Sequence, residues 1–437
     1  MTSRLHFDAA LRATAAAAML AAMLVPGSAS AGGLIAYEIG TADVGLASAG
    51  YNARAQDAST VFTNPAGMTR LEGTQFLATG QLDYGRTQFS IGSGTSPALG
   101  SNDGGNAFGS DGWFLGGGGF LSYSVSPDLK LGFAMTGNFG GVVRYDNNWA
   151  GRYYAQKVET VGLSFVPAIA YKATEKLSLG ASLNAMYGKY KNQVAINNVN
   201  PAFGDGQLAL DDSTWGWGVN LGLLYEIDPG TRLGLTWNSQ VNLDFEGPAK
   251  YTNLAPGLSR VLQNGATIKV GMNVPQQAMG SVFAQVNERW AVLGSIGWQQ
   301  WSKYGQVTLG VDNSFTSTTV TANIPFKDTW HFAGGAQYRM SPAWLLNFGI
   351  AYDTGFQSGN VSPLLPTNAA WRFGVGAEQQ LSKTAFWGFA AEYLYGGTLD
   401  VNIQSQVPVA AGGRGNLVGS YDNTGVLFMG VYANWKF

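Results

Sequence analysis

Trp215-Gly216-Trp217-Gly218-Val219-Asn220-Leu221-Gly222-Leu223-Leu224-Tyr225 decides the fold. Trp215, Trp217, Val219, Leu221, Leu223 and Tyr225 recur at every second position, with Gly216, Gly218, Asn220 and Gly222 between them. Successive side chains of a strand point to opposite faces, so this segment is a strand with one apolar face and one small, polar face. Aromatics stand at its ends and aliphatics in its middle, the order of a lipid-facing band between two aromatic girdles. Lys176–Gly188 repeats the pattern, with Leu177, Leu179, Ala181, Leu183, Ala185 and Tyr187 on one side. So does Trp371–Glu378, where Trp371, Phe373, Val375 and Ala377 oppose Arg372, Gly374, Gly376 and Glu378. A soluble sandwich also alternates, but it turns its charges to solvent. Here the second face is Gly, Ser, Asn and Thr with isolated charges, which suits a crowded lumen.

Outward from these segments, short and long connections alternate. Short turns fall at Ser126-Pro127-Asp128, Ala173-Thr174-Glu175, Asp228-Pro229-Gly230, Asn287-Glu288-Arg289, Ser341-Pro342 and Ser382-Lys383. Longer polar or Gly-rich loops fall at 88–111, 140–156, 191–212, 247–266, 312–326, 357–367 and 402–421. Six turns and seven loops join about fourteen strands, an even number as bacterial barrels require. The expected fold is therefore all-β, a transmembrane antiparallel β-barrel. The last residues agree: Leu427, Met429, Val431, Ala433, Trp435 and Phe437 form an alternating apolar row with a terminal aromatic.

In front of the strands lies Gly32–Glu72, rich in Gly, Ala, Ser, Asp and Asn, with Asn64-Pro65-Ala66-Gly67-Met68 near its end. It lacks alternation and is too polar to build a core of its own. The place for it is inside the barrel, as an N-terminal hatch that plugs the lumen ahead of a barrel spanning 73–437. Before it, Met1–Ala31 reads as a secretory signal peptide: Arg4 and Arg12, the apolar run Ala13–Val25, then Pro26-Gly27 and the cleavage signal Ala29-Ser30-Ala31. Only 12% of the 437 residues are charged, against ~25% in soluble domains, and 46% are hydrophobic. An exported chain this apolar, with no later run long enough for a membrane helix, belongs in a bacterial outer membrane.

Composition also excludes functions. A net charge of −2 offers nothing to nucleic acid, and the absence of Cys removes disulfides, thiolate metal sites and thiol nucleophiles. One His remains after signal removal, His331, with Asp328 three residues before it. A lone His among polar lumen residues is a structural group more often than a catalytic one. Gly116–Gly119 lies within an alternating strand, where glycine relieves crowding, and is no phosphate loop. No enzyme, cofactor or metal is expected.

The chain resembles the FadL family of outer-membrane transporters of long-chain fatty acids and other hydrophobic compounds. Asn64-Pro65-Ala66, after Gly45, Ala49-Gly50 and Asp57-Ala58, is similar to the family's hatch. Gly137-Asn138-Phe139-Gly140 with Trp149-Ala150-Gly151-Arg152-Tyr153 looks like its third strand and the loop above. Trp298–Tyr304, Phe326–Trp330 and Gly349–Asp353 resemble later strands; Pro366-Thr367-Asn368-Ala369 departs from the usual acidic–basic pair. The resemblance implies a monomeric plugged barrel among outer-membrane lipid and lipopolysaccharide, passing a long-chain fatty acid or similar molecule by passive uptake. It implies lateral release at a kink near Asn138, Phe139, Gly140 and Gly141, with the Asn64-Pro65-Ala66 turn latched against it. It also implies a carboxylate held by Lys327 and by Lys189 or Lys191. Taken alone, Gly140-Gly141 is better read as the start of a loop, and each lysine suits a solvated rim at least as well. A diffusion porin and an uptake channel for aromatic hydrocarbons are the alternatives.

Overall fold

A computed structural model describes residues 34–260, 262, 267–304, 306–312, 317–323 and 326–437. The signal peptide expected at Met1–Ala31 lies outside the described residues. After the N-terminal segment come β1 (Gln75–Ile91), β2 (Trp113–Ser124), β3 (Leu129–Arg144), β4 (Lys157–Lys172), β5 (Leu177–Ile196), β6 (Gly206–Asp228) and β7 (Thr231–Asn238). Next, β8 (Val241–Pro248) and β10 (Thr267–Val274) leave the wall, β9 (Lys250–Thr252) between them pairs with the loop-side end of β6, and β11 (Gln277–Gln285) and β12 (Trp290–Gln299) rejoin the wall. The pair β13 (Gln306–Asp312) and β14 (Ser317–Asn323) leaves again. The wall is completed by β15 (Thr329–Ser341), β16 (Trp344–Asp353), β17 (Ala370–Ser382), β18 (Ala385–Ile403) and β19 (Leu417–Lys436).

Fourteen of these strands form a closed antiparallel barrel: β1 to β7, β11, β12 and β15 to β19. Closure is made where β1 pairs with β19, from Gln75↔Lys436 upward. Closure matters because a strand edge in hydrocarbon would leave N–H and C=O groups without partners. All six expected turns are the short connections on one side. The loop side differs from expectation in two ways. β5 and β6 stay paired to Ile196↔Gly206, so the 191–212 loop shortens to residues 197–205. The 247–266 and 312–326 regions are not simple loops, because β8, β10, β13 and β14 form a second, four-stranded sheet. Pro275, between β10 and β11, has no N–H for a continuous ladder. In that second sheet Val241 and Leu243 pack on the inward side of β5–β6, against Gly188, Gly216 and Gly218.

Outward-facing Leu179, Leu183, Val219 and Leu221 are exposed, while Asn220 is buried and its Nδ2 donates to Ser182 Oγ at 3.0 Å. The aromatic belts are visible at both ends: Trp113, Trp215, Trp237, Trp330 and Trp371 on the loop side, Tyr123, Tyr171, Tyr225, Trp290 and Trp387 on the turn side. From Trp215 to Tyr225 a strand climbs about 33 Å, or about 25 Å along the membrane normal at a tilt of ~40°. Residues 34–71 lie within the wall and are almost entirely buried. Inward glycines make room for them: Gly349 meets the Leu46 backbone, Gly234 the Asn52 backbone and Gly374 that of Val44, leaving no space for a Cβ. Replacing Leu221 with Arg should cost the barrel ~2–4 kcal/mol. The check is the urea midpoint of refolding into lipid; an unchanged midpoint would mean Leu221 does not face hydrocarbon.

Candidate functional site

The ladder of the wall breaks between β2 and β3. The β2–β3 ladder runs from Ser124↔Lys130 only to Gly118↔Thr136, although both strands continue toward the loop side. Above Thr136, β3 keeps its pairing with β4, with a register shift between Gly137 and Phe139. That shift leaves Asn138 as an extra residue, the signature of a bulge, and its Oδ1 accepts from Ser164 Oγ at 2.8 Å. Gly140 follows with φ +141°, where any side chain would collide with the Thr160 carbonyl. The sequence Asn138-Phe139-Gly140-Gly141 is thus the turning point at which β3 departs from β2.

The free edge of β3 is met by the start of the described chain. Ala36 N donates to Asn138 O at 2.9 Å and Gly140 N to Leu34 O at 2.7 Å, with Ile35 opposite Phe139. Higher up, Arg144 N donates to Ala107 O at 2.7 Å. Two loose pieces of chain therefore stand in for the missing half of β2. Phe108 and Phe114 pack edge to face at 5.6 Å and, with Val142, fill the space between the diverging strands.

Behind the break lies a large apolar cluster. Leu34, Ile35, Phe139, Met186, Tyr190 and Phe245 belong to it, and a Cβ on Gly141 would stand 2.8 Å from Leu34 Cδ2. Aromatic rings roof it: Tyr145 stacks on Trp149 at 3.9 Å, and Phe89 touches Trp149 and Tyr421. Tyr145 Oη lies 2.6 Å from Tyr421 Oη and donates to Pro363 O at 2.9 Å. Burial, more than its phenol neighbour, drives the Tyr145 pKa well above its ordinary value, so it stays a neutral hydrogen-bonding group. A second aromatic group, Trp301, Tyr304, Phe326 and Phe356, joins the same cluster. The opposite end is unlike this. A cavity of about 400 Å³ at the turn side is polar, lined by Arg70, Glu72, Gln75, Arg339, Glu378 and Lys436 among others.

Below the apolar cluster the N-terminal segment is fixed by charge. Arg372 of β17 pairs with Glu38, with Asp353 at 2.5 Å and with Glu392 at 2.9 Å. His331 Nδ1 lies 2.6 Å from Asp353 Oδ1, and Tyr37 packs on the His331 ring at 4.7 Å. The carboxylate near His331 is therefore Asp353, whereas Asp328 accepts from Trp298 Nε1 and Ser302 N. Deeper still, Arg54 bridges Asp43 at 3.0 Å and Asp57 at 2.6 Å, and Arg232 donates to the carbonyls of Ala53 and Arg54. Sequence reasoning missed this network. Its one available signal was Arg372, a cation in mid-strand on a glycine-lined inner face, which needs a buried counter-charge.

Two expected placements are corrected. The Asn64-Pro65-Ala66 turn does not touch Asn138–Gly141. Asn64 Nδ2 donates to Asn52 O at 2.8 Å and Leu223 O at 3.0 Å, while Pro65 and Ala66 lie against Gly222 and Gly180 of β6 and β5. The turn sits in the lower barrel because Met68, just beyond it, packs on Gly132, far down β3 from the kink. Lys189 and Lys191 share strand parity with Leu179, Leu183 and Tyr187 and so point out of the barrel, while Tyr190 between them points in. Lys191 pairs there with Asp211 at 3.3 Å. Lys327 is exposed beside buried Phe326, at the edge of the second aromatic group, and is not brought together with the other two.

The sequence model of the family described as "Outer membrane protein transport protein (OMPP1/FadL/TodX)" matches residues 22–437. The chain belongs to this family. The family is one of transporters in the outer membrane. The chain is 26% identical to a long-chain fatty acid transport protein of Escherichia coli O6:H1 over 78% of its own length and 81% of that protein's. It is 27% identical to outer membrane protein P1 of Haemophilus influenzae over 76% and 79% of the two chains. In fold it is similar to a Pseudomonas aeruginosa FadL homologue, with a TM-score of 0.81 at 19% identity over 93% of this chain and all of the other. The Pseudomonas putida toluene transporter TodX shares the fold at a TM-score of 0.69 and 16% identity, over 93% and 100% of the chains.

Asn64 supplies the lower anchor, with both amide hydrogens on buried carbonyls. Asn64→Ala should loosen the N-terminal segment by about 1–3 kcal/mol per carbonyl left unsatisfied. Hydrogen exchange of residues near 64–71 should rise while the barrel keeps its heat-resistant mobility on gels; unchanged exchange would mean the anchor lies elsewhere.

Proposed function

We propose that this protein passes long-chain fatty acids through the outer membrane without an energy source, and that they leave sideways through the break between β2 and β3. The carrying observation is that β3 above Thr136 has lost its neighbour and is covered instead by Leu34–Ala36, directly in front of the apolar cluster. Residues 34–71 act as a hatch, which argues against a diffusion porin, since a porin needs an open lumen.

Energetics supports the lateral route. A tail of about fourteen methylenes gains on the order of 10 kcal/mol when buried, at ~0.8 kcal/mol each. Leaving through the polar turn-side cavity would forfeit that gain. Leaving into lipid forfeits almost none, because the tail passes from one apolar surrounding to another. The hatch has to release two backbone hydrogen bonds, at Asn138 and Gly140, and the apolar contacts of Leu34 and Ile35, which the tail itself can replace.

Because the chain has no Cys, a reversible lock can be built. Ile35 and Phe139 face each other as an antiparallel pair, so Ile35→Cys with Phe139→Cys should form a disulfide. Uptake of a fluorescent fatty acid by cells carrying the oxidised protein should fall to the level of cells lacking it, and reductant should restore it. Wild-type uptake in the oxidised form would mean that Leu34–Ala36 need not move, and the lateral route would be abandoned.

For the head group, Lys327 is the cation we assign, since Lys189 and Lys191 face away from the apolar cluster. A charge-assisted contact of this kind is worth roughly ten-fold or more in affinity. Lys327→Ala should weaken fatty-acid binding by that factor and leave an uncharged hydrocarbon unaffected, while Lys189→Ala changes neither. Equal loss of both ligands in Lys327→Ala would remove the carboxylate role. A second reading, small aromatic hydrocarbons, is favoured by the density of rings around Trp149 and Trp301. Competition of toluene against the fluorescent fatty acid separates the two.

A further inference from the structure

Four cations stand on the outward face of β3, β4 and β5, just beyond the loop-side aromatic belt. The antiparallel register sets Arg144 opposite Lys157. One row closer to the membrane, Glu159 faces Lys191, which faces Asp211; in the next row Val161 faces Lys189, which faces Ser213. Tyr187 and Trp215, 5.3 Å apart between centroids, form the belt directly beneath. Lys189 lies two residues beyond Tyr187, about 7 Å along the strand.

The charges do not balance. Arg144 and Lys157 share one oxygen of Glu159, at 2.8 and 3.0 Å, and Lys191 reaches Asp211 at 3.3 Å. Asp111 comes near the Arg144 end, beside Gly109. Lys189 is exposed between the neutral Val161 and Ser213. None of the four is covered: the side chains of Arg144, Lys157 and Lys191 are 43%, 39% and 34% exposed.

We propose that this face docks a phosphorylated lipid of the outer leaflet, with Lys189 and Lys191 on the phosphate and Arg144 and Lys157 beside it. An aromatic belt marks the level of lipid head groups, so cations one and two rows beyond it stand where lipid phosphates lie. Lysine stems run along the apolar belt while their ammonium groups reach the phosphate plane. Rim lysines kept only for solubility would be spread around the barrel rather than gathered in adjoining rows with too few carboxylates. The face also borders the unpaired stretch of β3, so its lipid is among the first neighbours of anything leaving there.

The test is native mass spectrometry of the purified protein in detergent with added bisphosphorylated lipid A or phosphatidylcholine. The wild type should retain lipid A in preference to phosphatidylcholine. In Lys189→Gln/Lys191→Gln retention should fall about thirty-fold, each cation at an anionic lipid surface contributing about five-fold. Glu159→Gln, which frees Arg144 and Lys157, should raise retention, and a rise cannot come from a folding defect. Equal retention of the two lipids by the wild type, or unchanged retention in both variants, overturns the proposal.

Discussion

The edge of β3 above Thr136 is the constraint on which this structure turns. At membrane depth, every backbone N–H and C=O needs a partner, and barrels meet that need by closing. In this barrel β2 and β3 diverge above Thr136, and there the partners come from Leu34, Ala36 and Ala107. The wall is therefore completed by chain that is not part of the wall. A closed strand can open only by breaking a ladder of many bonds, whereas the N-terminal segment holds this edge by two, at Asn138 and Gly140, and Ala107 adds a third at Arg144.

The rest of the interior follows from filling a cylinder of fourteen strands with one irregular segment. The segment carries its own backbone polar groups, and burying them requires acceptors and donors on the wall. Ser295 Oγ accepts from Gly50 N at 2.9 Å, and Asn52 Nδ2 reaches Thr236 Oγ1 and the Met279 carbonyl at 2.8 Å. Glycine on the inner face does the complementary work of letting backbone approach backbone, as at Gly349 and Gly234. The same residues that made the inner faces look featureless in sequence are what allow an interior this full.

How much of this was legible depended on the range of the interaction. Alternation is local, so Trp215–Tyr225 announced a lipid-facing strand, and the short turns were read correctly. Strand parity was legible too, yet the lysines were misplaced: Lys189 and Lys191 have odd numbers on a strand whose odd positions are Leu179, Leu183 and Tyr187. Resemblance supplied a position along the strand and not a face. Long-range contacts left no local trace. That Asn64 would seek Leu223, and Pro65 the space above Gly222, depends on how the segment threads the lumen. The second sheet was hidden because β8 alternates like the wall strand it follows; Pro275 marked only where the chain returns from that sheet to the wall.

The N-terminal segment is held with graded strength, and the gradient points toward the break. Removing one partner of a buried ion pair costs about 3–5 kcal/mol, and Arg372 of the wall holds Glu38 of the segment below the surface, while Arg54 ties Asp43 and Asp57 of the segment to each other. A net backbone hydrogen bond is worth only ~0.5–1.5 kcal/mol. The two bonds at Asn138 and Gly140 together are therefore weaker than the Glu38–Arg372 anchor. Apolar contact of Leu34 and Ile35 adds to them, but a hydrophobic molecule in the same cluster can replace that contact in kind. The lateral route proposed above would have an apolar tail displace Leu34–Ala36 while Glu38 stays on Arg372 and the lumen stays filled. On the lateral route proposed above, opening sideways and leaking downward would be separated by the single residue, Tyr37, between Ala36 and Glu38.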